Sequence, residues 1–463
     1  MSPTRNEDVL APRLARKVLA QMGENGTPPE QGIAHVNAGN QTYLEIIDRV
    51  YIRELLRDGG STFKLVQGTY GSGKTHFLYC VRHLAWRRNL LAAFITISPK
   101  ETPMNKPISV YRAVAHQIER GRDGDKGDPV RGIDDVLRRV AEEQRDDEGK
   151  EAALRWVESR LARAPLVRHS FRDAAAGFLR AVIEDRHESA RRLGAWLRGE
   201  AVPIAEAKEE GIYEVPSNEN GFALLRSLVQ AVERLGFAGT ALLLDEAERR
   251  LSVDGKPNKA QNETIDHLRE LVDLCGRSDL PRALVMYAVT PAFVQNILPT
   301  YPALQQRLGW PIQYLSPHNP KAPLIDLEAL DLDPMRLLTE VGTRLCAVAQ
   351  NAYDWQPDKG PIQRNLNLLA RTVTDEQLEV SHRRLFVKIW IRLLDELRLG
   401  GMRELANDEI RALVRDEQAH LLEEDLTGQA TFFGQPVKTA VPPAKKSDVG
   451  VESTVASPGR RKS

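Results

Sequence analysis

Gly68-Thr69-Tyr70-Gly71-Ser72-Gly73-Lys74-Thr75 places glycines, a lysine and a hydroxyl at the spacing G-x-x-x-x-G-K-[ST]. Glycines let a backbone curl until successive N–H groups point inward at an anion. A lysine after the last glycine reaches the β- and γ-phosphates of a nucleoside triphosphate, and the next hydroxyl coordinates Mg²⁺. A helix starting there adds the positive end of its dipole. The predicted nucleotide-binding set is Gly68, Tyr70, Gly71, Ser72, Gly73, Lys74, Thr75 and His76.

A second group lies far downstream. Leu242-Leu243-Leu244-Asp245-Glu246 is an apolar run that ends in two carboxylates. In phosphate-loop enzymes the strand next to the loop delivers an Asp to the Mg²⁺ shell. That assigns the metal to Thr75 and Asp245. A Glu directly after the Asp can act as general base on an attacking water, which makes Glu246 the candidate catalytic residue. The pair favours hydrolysis over transfer of the phosphoryl group to another acceptor. Glu248, Arg249 and Arg250 follow and are read as solvated or interface charges.

Positioning these groups requires strands that end at one edge. FKLVQ (63–67) predicts a short strand directly before the loop, and HFLYCVRHLAWRRN a helix after it. LAAFITIS (91–98), TALLLDEAERR (240–250) and ALVMYAVT (283–290) read as further strands, and PIQYL (311–315) as a fifth. Their apolar runs lack alternation, as expected of parallel strands covered on both faces. Strands alternating with helices predict an α/β fold with a parallel sheet. Residues 1–60 read as an N-terminal helical segment with a Gly/Pro/Asn-rich loop at 26–40. The core spans 61–327, with a helical insertion at about 121–235 in which GRDGDKGD (121–128) and RDDEGKEA (145–152) read as exposed turns or loops. Helical patterns from 328 to 430 predict a separate lid domain. After residue 436 the Pro/Ser/Lys-rich composition predicts a disordered tail.

Bulk numbers narrow the function class. A chain of 463 residues supports two or three domains at roughly 100–200 residues each. Lys plus Arg equals Asp plus Glu, 64 each, so net charge provides no general pull toward nucleic acid, while a local basic patch stays open. The three cysteines form no C-x-x-C pair, which argues against a zinc site or disulfide scaffold and for thiols in a reducing cytoplasm. No apolar run approaches the ~20 residues of a membrane span. There is no HExxH, GxSxG or nuclease-like acid cluster.

These pieces, in this order, resemble the ORC/Cdc6-like branch of the AAA+ ATPases. More narrowly, the chain resembles the ATP-binding proteins of BREX phage-defence systems. The segments that carry the narrower likeness are GTPPEQGIAHVNAGN (26–40), GTYGSGKTHFL (68–78) and PMNKPISVYRAV (103–114), with LLLDEAE and the helix around Arg364 in agreement. It covers about residues 10–400. The resemblance implies a P-loop NTPase (AAA+) core with an α-helical lid, ATP and Mg²⁺ as ligands, and other proteins of the defence system as partners. It places Thr290, at the end of ALVMYAVT, at the sensor-1 position. Arg307, before PIQYL, falls where such proteins present an arginine to a neighbour's nucleotide, which implies a homo-oligomer; a surface salt bridge is the alternative reading. Arg364 falls where a lid arginine meets its own chain's γ-phosphate, with Arg371 as a substitute.

DNA is a further candidate partner. SHRRLFVKIWIR (381–392) interleaves basic and aromatic residues, which suits either a phosphate-contacting face or a buried amphipathic helix. Two other functions compete with an ATPase motor or switch. One is a regulatory module that holds ATP with negligible turnover; the other is a small-molecule kinase, for which no phosphoacceptor pocket or Arg-rich mobile lid stands out.

Overall fold

The structure is a computed structural model. It describes residues 10–433 except 99, 122–127, 247–258, 330–332 and 376–381. Most of GRDGDKGD, the charges Glu248, Arg249 and Arg250, and the tail from 436 therefore lie outside the described residues. The chain through Gln418 forms one compact unit, and Ala419 onward forms a second.

Seven strands make one sheet: β1 Thr62–Gln67, β2 Leu90–Thr96, β3 Ile118–Arg120, β4 Val130–Arg131, β5 Gly239–Asp245, β6 Ala283–Val289 and β7 Leu324–Asp326. Their order is β4-β3-β2-β5-β6-β1-β7. β2, β5, β6, β1 and β7 run parallel, so their carboxyl ends share one edge. β3 and β4 pair antiparallel at the far side of β2, so the sheet is mixed rather than wholly parallel.

Two expectations are corrected. The acidic strand β5 does not neighbour the loop strand β1, because β6 lies between them. PIQYL is no strand; Tyr314 makes only an isolated bridge to Leu324. The fifth parallel strand is β7, some ten residues later. Pro311 lacks an N–H for a ladder, while Leu324-Ile325-Asp326 pairs with Leu65-Val66-Gln67.

Both faces of the sheet are covered, which explains the unbroken apolar runs. Phe63, Leu65, Leu242, Leu244, Val285 and Tyr287 face one core. That core is shared with the insertion helices Ile133–Glu148, His169–Ile183 and Gly221–Arg234, so the insertion packs directly on the sheet. RDDEGKEA stays helical except at Gly149, which joins Ile133–Glu148 to Lys150–Val157 at φ 84°. Val66, Ala241, Leu243 and Met286 face the second core, under the helix Lys74–Arg87 and the helical run 41–56.

Lys64 pins this side. Its Nζ donates to Tyr51 Oη at 2.5 Å and to the Ala322 carbonyl at 2.7 Å. Burial lowers the Lys64 pKa to about 7.

The helices that the sequence reading assigns to a lid are Pro334–Tyr353, Lys359–Asp375 and His382–Gly400. The N-terminal helix Pro12–Asn25 packs on the first and third of them. Arg16 Nη1 donates to the Ala352 carbonyl at 2.8 Å, and Arg384 Nη2 to the Asn25 carbonyl at 3.3 Å. The N-terminal helix and the lid thus meet in one helical layer. Among the described residues, no helix is long and apolar enough to cross a membrane.

Candidate functional site

The loop 68–73 leaves β1 and enters the helix Lys74–Arg87. Its curl depends on glycine at two points: Gly71 at φ 75° and Gly73 at φ 97°. L-residues with a Cβ disfavour that left-handed region. Gly68 is needed for a different reason. A Cβ there would lie 2.2 Å from Ser72 Oγ, so any other residue would force the Ser72 hydroxyl to move. Tyr70 is 66% exposed at the loop's rim.

Lys74 bends back over the loop. Its Nζ donates to the Gly68 carbonyl at 2.8 Å and the Thr69 carbonyl at 3.0 Å. Thr75 Oγ1 donates to Asp245 Oδ2 at 2.6 Å. The hydroxyl and the carboxylate, 170 residues apart, are thereby brought together. Asp245 is buried at 3% exposure. A hydroxyl and one carboxylate are hard oxygen donors of the kind that hold Mg²⁺ beside substrate phosphates.

Glu246 occupies φ 55°, rare for a residue other than Gly, Asn or Asp. Its N–H turns back onto Asp245 Oδ1 at 2.9 Å. Left-handed backbone costs roughly 1–2 kcal/mol for a residue with a Cβ, and such outliers cluster at functional sites.

Register places Thr290 between these groups. Gln67 pairs with Val289, and the Gly68 N–H donates to the Val289 carbonyl at 3.1 Å. Leu244 pairs with Tyr287 on the other side. The tip of β6 therefore lies between the start of the loop and the acidic pair. Ligands in open α/β sheets bind outside the carboxyl ends of the strands, where all three features converge.

His76 is turned inward. Its Nε2 lies 3.1 Å from Asn37 Oδ1, which also accepts from Asn40 Nδ2 at 3.2 Å. Burial, and then the Arg383 cation, lower its pKa to about 4, so the ring is neutral at pH 7. The segment 26–40 is not wholly a loop, since Ile33–Val36 form a short helix, and it is in this way tied to the start of the helix Lys74–Arg87.

The arginines fall in three places. Arg307, at the end of the helix Pro302–Leu308, donates from Nε to Asp273 Oδ1 at 2.5 Å and from Nη1 to the Ala303 carbonyl at 2.9 Å. Arg364 is exposed and pairs with Glu404, and Arg371 pairs with Asp375 one turn on. Arg383, which the sequence reading does not single out, lies against the loop. It donates to the Ser72 carbonyl in the loop and, at 3.0 Å, to the Leu327 carbonyl. Among the described residues it is the lid arginine that reaches the loop. Sequence reasoning passes over it, yet a signal is present. Arg383 and Arg384 open an apolar helix, and cations are disfavoured at a helix N-terminus, so the pair needs partners outside its own helix.

Leu385 to Ile391 of SHRRLFVKIWIR are interior, while His382 and Arg392 are exposed. Phe386 and Trp390 are buried, Trp390 Nε1 donates to the Gly342 carbonyl at 2.8 Å, and Lys388 pairs with Glu417 at 2.9 Å.

A family model described as BREX system ATP-binding protein BrxC/D matches residues 10–404. The chain belongs to this family. No curated protein and no solved structure matches it. In this BREX ATP-binding protein the matched span contains the phosphate loop, the acidic strand, Arg307 and the lid arginines. The donor set fits the nucleotide that the family description implies. Ser72 Oγ is buried and has no hydrogen-bond partner among the described residues, an orphan that a phosphate oxygen would satisfy. Among the described residues, no group of three or more His, Cys, Asp or Glu gathers as a metal site in its own right.

Proposed function

We propose that this protein is an AAA+-type ATPase that serves a BREX phage-defence complex as a nucleotide-driven motor or switch. The observation that carries this is the 2.6 Å contact between Thr75 and Asp245, which joins a phosphate loop to an acidic strand tip. Gly68, Gly71, Ser72 and Gly73 cradle the phosphates of ATP with their backbone, and Lys74 turns from its loop carbonyls to the β- and γ-phosphates. Tyr70 and His76 border the same site. Mg²⁺ held by Thr75 and Asp245 would neutralise charge on the phosphate oxygens.

Glu246 accepts the proton of the attacking water, and Thr290 orients that water from the tip of β6. Arg383 takes the lid-arginine role in place of Arg364, since it already lies against Ser72. Arg307 acts on a neighbouring copy's nucleotide after leaving Asp273, which requires an oligomer. Other proteins of the defence system are the expected partners. DNA would have to act through residues other than the interior of the helix 382–400. We place the protein in the cytoplasm.

Phosphate release measured with and without duplex DNA tests this reading. Release that depends on Glu246 supports it. ATP binding with no release under any condition would instead make the chain a nucleotide-holding regulator.

A further inference from the structure

We infer that Glu328 sets the nucleotide affinity of the phosphate loop by holding a negative charge between the loop and the lid arginine. The inference rests on the nucleotide reading above and adds a control on the same site.

The Thr69 N–H donates to Glu328 Oε1 at 2.7 Å. Glu328 is held firmly at that point. Its own N–H donates to Asp326 Oδ1 at 3.0 Å, and Asp326 Oδ2 accepts from Gln67 Nε2 at 3.2 Å. The Leu327 N–H donates to the Gln67 carbonyl at 3.0 Å. The end of β7 is thus fastened to the end of β1, from which the loop departs.

Arg383 closes the other side. It bonds the carbonyl of Leu327, the residue before Glu328, and the carbonyl of Ser72 in the loop. The Glu328 carboxylate attracts the Arg383 guanidinium, which burial otherwise penalises. Lys74 lies close by, on the Thr69 carbonyl.

A fixed carboxylate therefore sits among the cations that a triphosphate needs. It subtracts from their positive potential and repels the incoming phosphates. It also keeps the lid in contact with the loop. The consequence is a site that binds nucleotide less tightly than its cations allow and releases it more readily.

The test is calorimetric titration of the full chain with a non-hydrolysable ATP analogue plus Mg²⁺, comparing the unsubstituted protein, Glu328→Gln, Glu328→Asp and Lys74→Ala. Gln keeps an oxygen to accept from Thr69 and removes only the charge. Because Glu328 is exposed, the gain is modest: Kd should fall roughly two- to five-fold in Glu328→Gln, the scale of exposed charge pairs. The gain should shrink as salt screens it and be smaller for ADP. Glu328→Asp, which keeps the charge, should retain the parental salt dependence. A purely structural role predicts equal or weaker binding in Glu328→Gln, and that result overturns the inference. If Lys74→Ala binds as well as the unsubstituted chain, the nucleotide reading itself fails and this inference falls with it.

Discussion

Arg383 of the third lid helix donates to the carbonyl of Ser72 in the phosphate loop, 311 residues away in sequence. The lid is thereby joined to the loop by a side chain rather than by packing alone. Through the adjacent Arg384, which donates to the Asn25 carbonyl, the same helix also holds the N-terminal helix.

Replacing Arg383 by Ala should weaken ATP binding roughly ten- to hundred-fold, the scale of a hydrogen bond to a charged group. Arg364→Ala should leave binding within about two-fold, because an exposed pair such as Arg364–Glu404 contributes little. Fluorescence titration with a labelled nucleotide checks both. The reverse ranking would return the lid role to Arg364.

Lys74→Ala should cost roughly ten- to hundred-fold in ATP affinity, since the charge on the β- and γ-phosphates loses its partner. Calorimetry decides it. Near-normal binding would remove the phosphate-loop assignment.

Glu246→Gln should bind ATP normally and hydrolyse it roughly 10²–10⁴-fold more slowly. An amide can orient water but cannot take its proton. Unchanged phosphate release would place the base elsewhere.

Arg307→Ala should lose turnover roughly 10³–10⁵-fold, as for other arginines that stabilise transferring phosphoryl groups. Mixing it with Lys74→Ala should restore part of the activity, because an intact loop can then meet a neighbour's intact Arg307. Arg383→Ala mixed with Lys74→Ala should show no such recovery above the sum of the two variants, because both parts act within one chain. Monomers by light scattering under every ATP and DNA condition, together with normal hydrolysis by Arg307→Ala, would reduce Arg307 to the partner of Asp273.

The lowered pKa of His76 has a consequence for stability. Between its usual 6.5 and about 4, the unfolded chain holds a proton that the folded chain does not. Stability therefore falls as pH drops through this window and is fully retained above it. His76→Gln should remove that part of the slope in urea midpoints measured from pH 7 to 4.5. Identical slopes in both proteins would show that the ring protonates freely in the folded state.

Local order along the chain determines the loop and its chemistry. Glycine spacing, one lysine and one hydroxyl suffice for Gly68–Thr75, because a phosphate cradle is built from consecutive backbone amides. The apolar runs of β1, β2, β5 and β6 are legible for a similar reason: strands buried on both faces carry few polar positions. The end of β5 announces Asp245 and Glu246 in the same way.

Contacts between distant segments are decided by the tertiary structure. Sequence does not show that β6 separates β5 from β1, since strand order depends on how the connections pack over the sheet. It points to PIQYL as the fifth strand, because the three residues of β7 give too weak a pattern to compete. It favours Arg364 over Arg383, since which arginine faces the loop depends on how the lid helices pack and not on their spacing from the core. Glu328 has no sequence signature at all. Its contact with the Thr69 backbone amide at 2.7 Å exists only in the folded chain.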